Sequence, residues 1–341
     1  MSIRASIPLQ PRPWPVLDPF LFCVHHDDAY PRGDGAFGPA VPIAARALGN
    51  DFSRLDGWSL YHGHPVPGFP AHPHRGFETI TVVRRGRVDH SDSMGAAARY
   101  GDGDVQWLTA GRGIVHAEMF PLLESERPNP LELFQIWLNL PAARKLCEPR
   151  FVMFWGEQVP RWQHAGVTLR CIAGRPEGLD IDPLPGPPPD SWAAHADADV
   201  AVWTLQLDPG SRFTLPAARG RETRRVLYAF DAPGATVAGQ AVGGPTAFDL
   251  DAQSAVDVVA GGARCELLML QGRPIGEPVA QHGPFVMNSR AELEQAYADY
   301  QRTGFGGWPW ADPAPVHGAD PRRFARVDGA EQEPPVNGQK S

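Results

Sequence analysis

From Glu78 to Arg84 the side chains alternate with a period of two. Thr79, Thr81 and Val83 fall on one face, Ile80 and Val82 on the other. A β-branched run of this kind predicts a strand that pairs across a sheet. Gly86 marks a hairpin turn, with Val88 continuing on the far side. A second strand is predicted where Asp104 leads into Val105-Gln106-Trp107-Leu108. Gly111 and Gly113 then permit a tight turn before Ile114-Val115-His116. Leu131–Leu140 is a further apolar strand candidate.

The same rhythm returns in the second half. Val200–Leu207, Arg212–Leu215, Arg225–Phe230, Ala255–Val259 and Arg264–Leu270 are short β-like runs separated by Gly or Pro. Between the halves, Gly174–Asp190 contains Pro176, Pro183, Pro185 and Pro187 to Pro189. It can be neither a helix nor an interior strand, so it is a loop between or within domains. One helix is signalled: Ser289 and Glu292 form a capping box, Leu293, Ala296, Tyr297 and Tyr300 share a face, and Gly304 is a stop. The expected fold is all-β, two tandem antiparallel β barrels with a C-terminal helix. The expected layout is a Pro-rich lead-in over 1–20, barrels over 21–160 and 161–288, helix and turn over 289–311, and a polar mobile tail over 312–341.

At 341 residues the chain is long enough for two cores. Its Gly 36 and Pro 37 are scattered rather than confined to one tract, which agrees with many short elements and frequent turns. A formal net charge of -8 opposes non-specific attachment to nucleic acid. The densest basic group, Arg221, Arg224 and Arg225, reads as a solvated turn. No apolar run reaches the ~18–20 residues of a membrane helix. The N-terminus, with Pro8, Pro11, Pro13 and Pro15, lacks the pattern of a secretory signal. Cys23, Cys147, Cys171 and Cys265 lie far apart, as expected of reduced, mostly buried thiols in a cytoplasmic protein.

His72-Pro73-His74 places two imidazoles two residues apart, and on an extended chain both face the same way. His116-Ala117-Glu118 repeats the spacing with an imidazole and a carboxylate. If the two segments run side by side, four ligands converge inside one barrel. Three neutral nitrogens and one anionic oxygen suit Fe, Mn, Ni, Cu or Zn better than Mg or Ca. The other histidines fit plainer roles. His62-Gly63-His64 has the flanks of a loop, His90 is expected to be exposed near the Gly86 hairpin, and His195 and His282 stand alone. The second barrel is therefore expected to be metal-free. Phe69, Phe77, Trp107 and Phe134 are expected in the core; any that borders the metal can stack a flat ligand.

The string His72-Pro73-His74-Arg75-Gly76-Phe77-Glu78-Thr79-Ile80-Thr81 resembles the pirin family of the cupin superfamily. So do Gly103 to Met119, read as GDVQWLTAGRGIVHAEM, and the stretches Gly276 to Val279 and Gln281 to Asn288. The resemblance implies a bicupin with iron, as Fe2+, in the N-terminal barrel only, held by His72, His74, His116 and Glu118. Glu78, at the place of the general cupin glutamate, is then a supporting residue rather than a ligand. The resemblance also implies an activity like quercetin 2,3-dioxygenase: a flavonol-like substrate loses its hydroxyl proton to Glu118, the catalytic base, and reacts with O2, releasing carbon monoxide. The alternative it implies is an iron-dependent, redox-responsive protein that regulates a protein partner. A further one is a metal cupin with an unrelated reaction. The Pro-rich segment and the tail after Trp310 make this chain longer than the family pattern.

Overall fold

The computed structural model describes residues 2–10 and 13–335. In chain order, β1 (Ile3–Pro8) and β2 (Phe20–Asp28) precede β3 (Gly68–His74), β4 (Phe77–Arg85), β5 (Arg87–Asp92) and β6 (Ala97–Gly101). Then come β7 (Val105–Thr109), β8 (Ile114–Met119), β9 (Leu131–Asn139), β10 (Arg150–Phe154), β11 (Arg161–His164) and β12 (Val167–Ala173). The second half holds β13 (Ala201–Leu207), β14 (Arg212–Leu215), β15 (Arg224–Asp231), β16 (Thr236–Val237), β17 (Gln240–Ala241) and β18 (Thr246–Leu250). It ends with β19 (Val256–Val259), β20 (Cys265–Gly272), β21 (Ala280–His282), β22 (Phe285–Met287), α1 (Arg290–Thr303), β23 (Phe324–Val327) and β24 (Ala330–Gln332).

The fold is mostly β and comprises two cupin-like domains, whose strands form separate open sheets rather than closed barrels. Among the described residues the first contains 25–135, 142–157 and 277–335, and the second 2–10, 13–24, 136–141 and 158–276. In the first, a sheet of order β10-β7-β4-β9-β2 accompanies one of order β24-β23-β6-β5-β8-β3. β4 is buried from Phe77 to Val83, which suits its β-branched run to a central position. Val83, Val88, Tyr100, Leu108, Leu133 and Trp155 belong to one core cluster. In the second, the order β1-β18-β15-β20-β13-β12-β11 accompanies β14-β19-β16-β17. Its core includes Trp203, Leu205, Phe213, Leu227, Phe248 and Met269.

The layout departs from the expected one at both chain ends. The lead-in contains a real strand: β1 pairs antiparallel with β18, Ile7 opposite Ala247 and Pro8 opposite Thr246. Proline is tolerated there because β1 is an edge strand. The tail carries two strands, β23 and β24; residues 336–341 lie outside the described residues. β23 pairs with β6, Phe324 opposite Arg99, which gives the edge of a fully buried strand its hydrogen-bonding partner. Phe324 and Ala325 are buried. Beneath them Arg99 and Asp89, both fully buried, form a two-pronged ion pair at 2.7 Å, and His317 N donates to Asp89 Oδ2 at 2.8 Å.

The helix forms as its signals predict. Ser289 caps α1 by accepting from Glu292 N, Glu292 accepts in return from Asn288 N, and Gly304 ends it in the left-handed conformation. Leu293 and Ala296 face Phe285 and Met287, so α1 is part of the first cupin. The Pro-rich segment is irregular and lies within the second cupin. Cys23, Cys171 and Cys265 are buried and Cys147 is half-buried. Among the described residues no helix is long and apolar enough to cross a membrane.

Candidate metal centre

β8 lies between β3 and β5, antiparallel to both. His72 stands opposite His116 across one ladder, and Asp92 opposite His116 across the other. The two-residue period then puts His72 and His74 on the same face as His116 and Glu118. The ring centroids are 4.4 Å apart for His72 and His116, 4.8 Å for His72 and His74, and 4.9 Å for His74 and His116. One nitrogen from each ring lies within 4.8 Å of the others. Donors bound to one ion at about 2.1 Å sit about 3–4 Å apart, so a modest closure of the side chains suffices.

The hydrogen bonds decide which nitrogens remain free. His72 Nδ1 donates to Pro70 O at 2.9 Å, which leaves Nε2 with its lone pair. His74 Nδ1 makes a longer contact, 3.4 Å, to Pro284 O. His116 is fully buried, and neither of its nitrogens has a hydrogen-bond partner. Buried polar atoms are rarely left so, because each forfeits its hydration without return. A metal ion accepting the lone pair gives one of the two nitrogens a partner, so the residues present fit one. Burial also holds the imidazoles neutral: it pulls His72 down to about 4 and pushes His74 and His116 well below the usual histidine range.

Glu118 is not in the close group. Its carboxylate accepts from Thr81 Oγ1 and from Gln135 Nε2, each at 3.1 Å. Burial raises its pKa above the usual carboxylate range, while His90, Thr81 and Gln135 oppose that. Glu78 is buried and accepts from Thr109 Oγ1 at 2.7 Å, a structural bond within the β4–β7 pair.

His90 departs from expectation. It is fully buried rather than exposed, and its ring centroid is 5.5 Å from that of His116. Gln106 Nε2 donates to its Nδ1 and its Nε2 donates to Asp92 Oδ2, both at 3.1 Å, so it has no lone pair to offer. The signal was present in the alternation: His90 and Asp92 follow Val88 at steps of two. Thr81, Gln106, Gln135 and Tyr100 also line this network, and their local sequence carries no motif that marks them. Tyr100 Oη donates to Gln106 Oε1 at 3.3 Å, completing a buried polar network around the site.

The turn after His74 is held from three sides. Arg75 Nε donates to Arg112 O at 2.6 Å and its Nη1 to Asp299 Oδ2 at 2.8 Å. Lys145 Nζ donates to Gly76 O at 2.9 Å and to Val286 O at 3.3 Å. Gly76 has φ +86°, and a Cβ there would meet Val286 O at 1.9 Å, so only glycine fits. Phe77 packs edge-on against His74 at 5.0 Å. Phe77, Trp107 and Phe134 are fully buried, whereas Phe69 is half-buried, 6.3 Å from His72. His62 and His64 lie in an exposed loop, where His62 Nδ1 donates to Gly49 O at 2.8 Å.

The second cupin repeats the pairing without the donors. β14 pairs with β19 as β3 pairs with β8, and the buried positions are Phe213, Leu215, Val256 and Val258. None of these offers a lone pair. His195 and His282 are exposed.

Comparison with known proteins agrees with this architecture. The Pirin family model matches residues 43–138, and the model of the pirin C-terminal cupin domain matches residues 202–306. A pirin-like protein of Caulobacter vibrioides is 37% identical over 239 residues, covering 70% of this chain and 80% of its own. A Pseudomonas aeruginosa protein named "Putative quercetin 2,3-dioxygenase" is 37% identical over 245 residues, covering 70% of this chain and 79% of its own. Human pirin is 32% identical over 281 residues, covering 76% and 87%. Among solved structures, a quercetin 2,3-dioxygenase from Acinetobacter baumannii has a TM-score of 0.68 at 24% identity, over 90% of this chain and 98% of that one. That likeness speaks to the fold.

Proposed function

The chain belongs to the pirin family, and from that premise we propose that His72, His74, His116 and Glu118 hold one iron ion serving a dioxygenase that opens a flavonol such as quercetin. The observation that carries this reading is His116, a fully buried imidazole with no hydrogen-bond partner, set against two neutral imidazoles. The name of the Pseudomonas relative supports the substrate class. The donor set also accepts Mn, Ni, Cu or Zn; the family resemblance favours iron.

A bound ion of this class supplies Lewis acidity toward an enol hydroxyl and the redox capacity that O2 chemistry needs. The chain's own residues do the rest. The imidazoles stay unprotonated because they are buried, so they bind without releasing protons. Thr81 and Gln135 hold the Glu118 carboxylate in place. Glu118 takes the proton of the substrate hydroxyl, a role suited to a carboxyl whose pKa burial raises above the usual carboxylate range. Phe69, half-buried beside His72, offers a face on which a flat ring can stack.

Aerobic turnover of quercetin, followed by loss of the flavonol and release of carbon monoxide, tests the proposal. Wild type turns over, and His74→Ala and Glu118→Ala do not. Equal rates in all three proteins end it.

A further inference from the structure

The second cupin has a pocket of its own, of about 140 Å³. It lies where β13 and β15 begin and β20 ends, just past the end of β14, and its wall includes Pro216, Ala201, Arg225 and Gln271. β15 follows β14 as β4 follows β3, so this pocket lies at the position in the strand order that His74 and Phe77 hold in the first cupin. The donors differ completely. Instead of imidazoles, the wall presents Arg175, Arg219, Arg225 and His195, with Asp199 and Glu177 as the acidic members.

Arg225 is the decisive residue. Its place in a basic cluster suggests a solvated turn, but β15's alternation turns it inward and leaves it 1% exposed. Nε donates to Gln271 Oε1 at 2.8 Å, Nη2 donates to the same oxygen, and Nη1 donates to Pro216 O at 2.9 Å. These use three of the five guanidinium N–H groups. Among the described residues it forms no ion pair. A buried cation with no anion in direct contact is costly, and an anion joining it lowers that cost.

Asp199 and Asp251 act on Arg225 through space, and among the described residues neither is hydrogen-bonded to it or paired with it. Asp199 Oδ2 accepts from Arg219 N and Gly220 N at 3.1 Å each and from Thr223 Oγ1 at 2.8 Å. Glu177 is paired with Arg219 at 3.1 Å. Arg175, exposed at the rim, has neither a hydrogen bond nor an ion pair among the described residues, and neither does the exposed His195 ring.

We propose that this pocket binds a compact oxyanion, a small carboxylate or a phosphate, with Arg225 at its base and Arg175 at its rim. The volume is well below the roughly 300–1,000 Å³ of pockets for drug-sized ligands, so the site takes an anion of a few heavy atoms and not a flavonol. Arg225 stays protonated throughout the neutral range, since burial draws it down only to about 10. A fixed guanidinium thus supplies the positive charge that the histidine site supplies through a metal. The inference does not depend on the dioxygenase reading.

Calorimetric titration of the full chain, treated with chelator, with oxalate and separately with inorganic phosphate tests it. Wild type binds at least one of the two saturably, with one site per chain, and chloride at equal ionic strength does not compete. The tighter of the two probes identifies the ligand class. Arg225→Gln lowers affinity at least tenfold, and Arg175→Glu, at a rim position outside the core, lowers it severalfold. If Arg225→Gln does not fold, Arg175→Glu decides. No saturable heat with either probe, affinity unchanged in the folded variants, or binding seen only in metal-loaded protein overturns the proposal.

Discussion

Replacing His116 by leucine is expected to stabilise the metal-free protein while abolishing metal binding. His116 is fully buried, with both ring nitrogens unpartnered, in a sheet between His72 and Asp92. An unsatisfied buried polar group costs about 1–3 kcal/mol, and leucine fills a similar volume without that cost. In chelator, His116→Leu therefore unfolds about 1–3 kcal/mol later than wild type. With free ion at a thousand times its Kd, wild type gains about 4 kcal/mol and the variant gains nothing, so the order reverses. Urea unfolding under anaerobic conditions, with and without ferrous ion, reads both. Trp107 and Trp155, buried in the first cupin, report the relevant transition by fluorescence. A leucine variant less stable than wild type in chelator refutes the reasoning, because it means His116 nitrogens have partners in the metal-free fold.

Two further predictions concern the scaffold. Burial raises the Asp28 carboxyl from 3.8 to about 6, although Tyr61 Oη and Ser59 N both donate to it. The unfolded chain then ionises first, so Asp28's contribution favours the fold at low pH and is lost as pH rises through about 6. It amounts to about 3 kcal/mol, and Asp28→Asn flattens the stability profile between pH 4 and 7; an unchanged profile contradicts this. Arg99→Met leaves the buried Asp89 carboxylate with only the His317 amide, at a cost of about 3–5 kcal/mol. The double variant Arg99→Met, Asp89→Asn recovers most of that loss, and a single-variant cost below about 1 kcal/mol argues against a sealed ion pair.

The features legible in the sequence were those set by local period. The Thr79–Val83 alternation became β4, the Ser289–Glu292 box became the start of α1, and the two-residue spacings put His72, His74, His116 and Glu118 on shared strand faces. Long-range pairing was not legible. β1 finds its partner more than 200 residues away, at Thr246–Leu250, and β23 pairs with Ala97–Arg99; no local signal in a Pro-rich end announces an edge-strand partner. Polar residues carried inward were misread for a related reason. His90 and Arg225 sit in polar local company, yet each belongs to a strand whose next apolar residues, Val88 and Leu227, continue the inward face. The spacing of Glu118 likewise gave its face, but not the Thr81 and Gln135 bonds that hold its carboxylate.

Metal analysis of protein purified without added ions bears most directly on the central claim. Wild type and His62→Ala, a change at an exposed residue outside the three-histidine group, are expected to carry one iron per chain. His74→Ala and His116→Ala are expected to carry none above background. Full loading in His116→Ala, or none in wild type even after incubation with ferrous ion, contradicts the account.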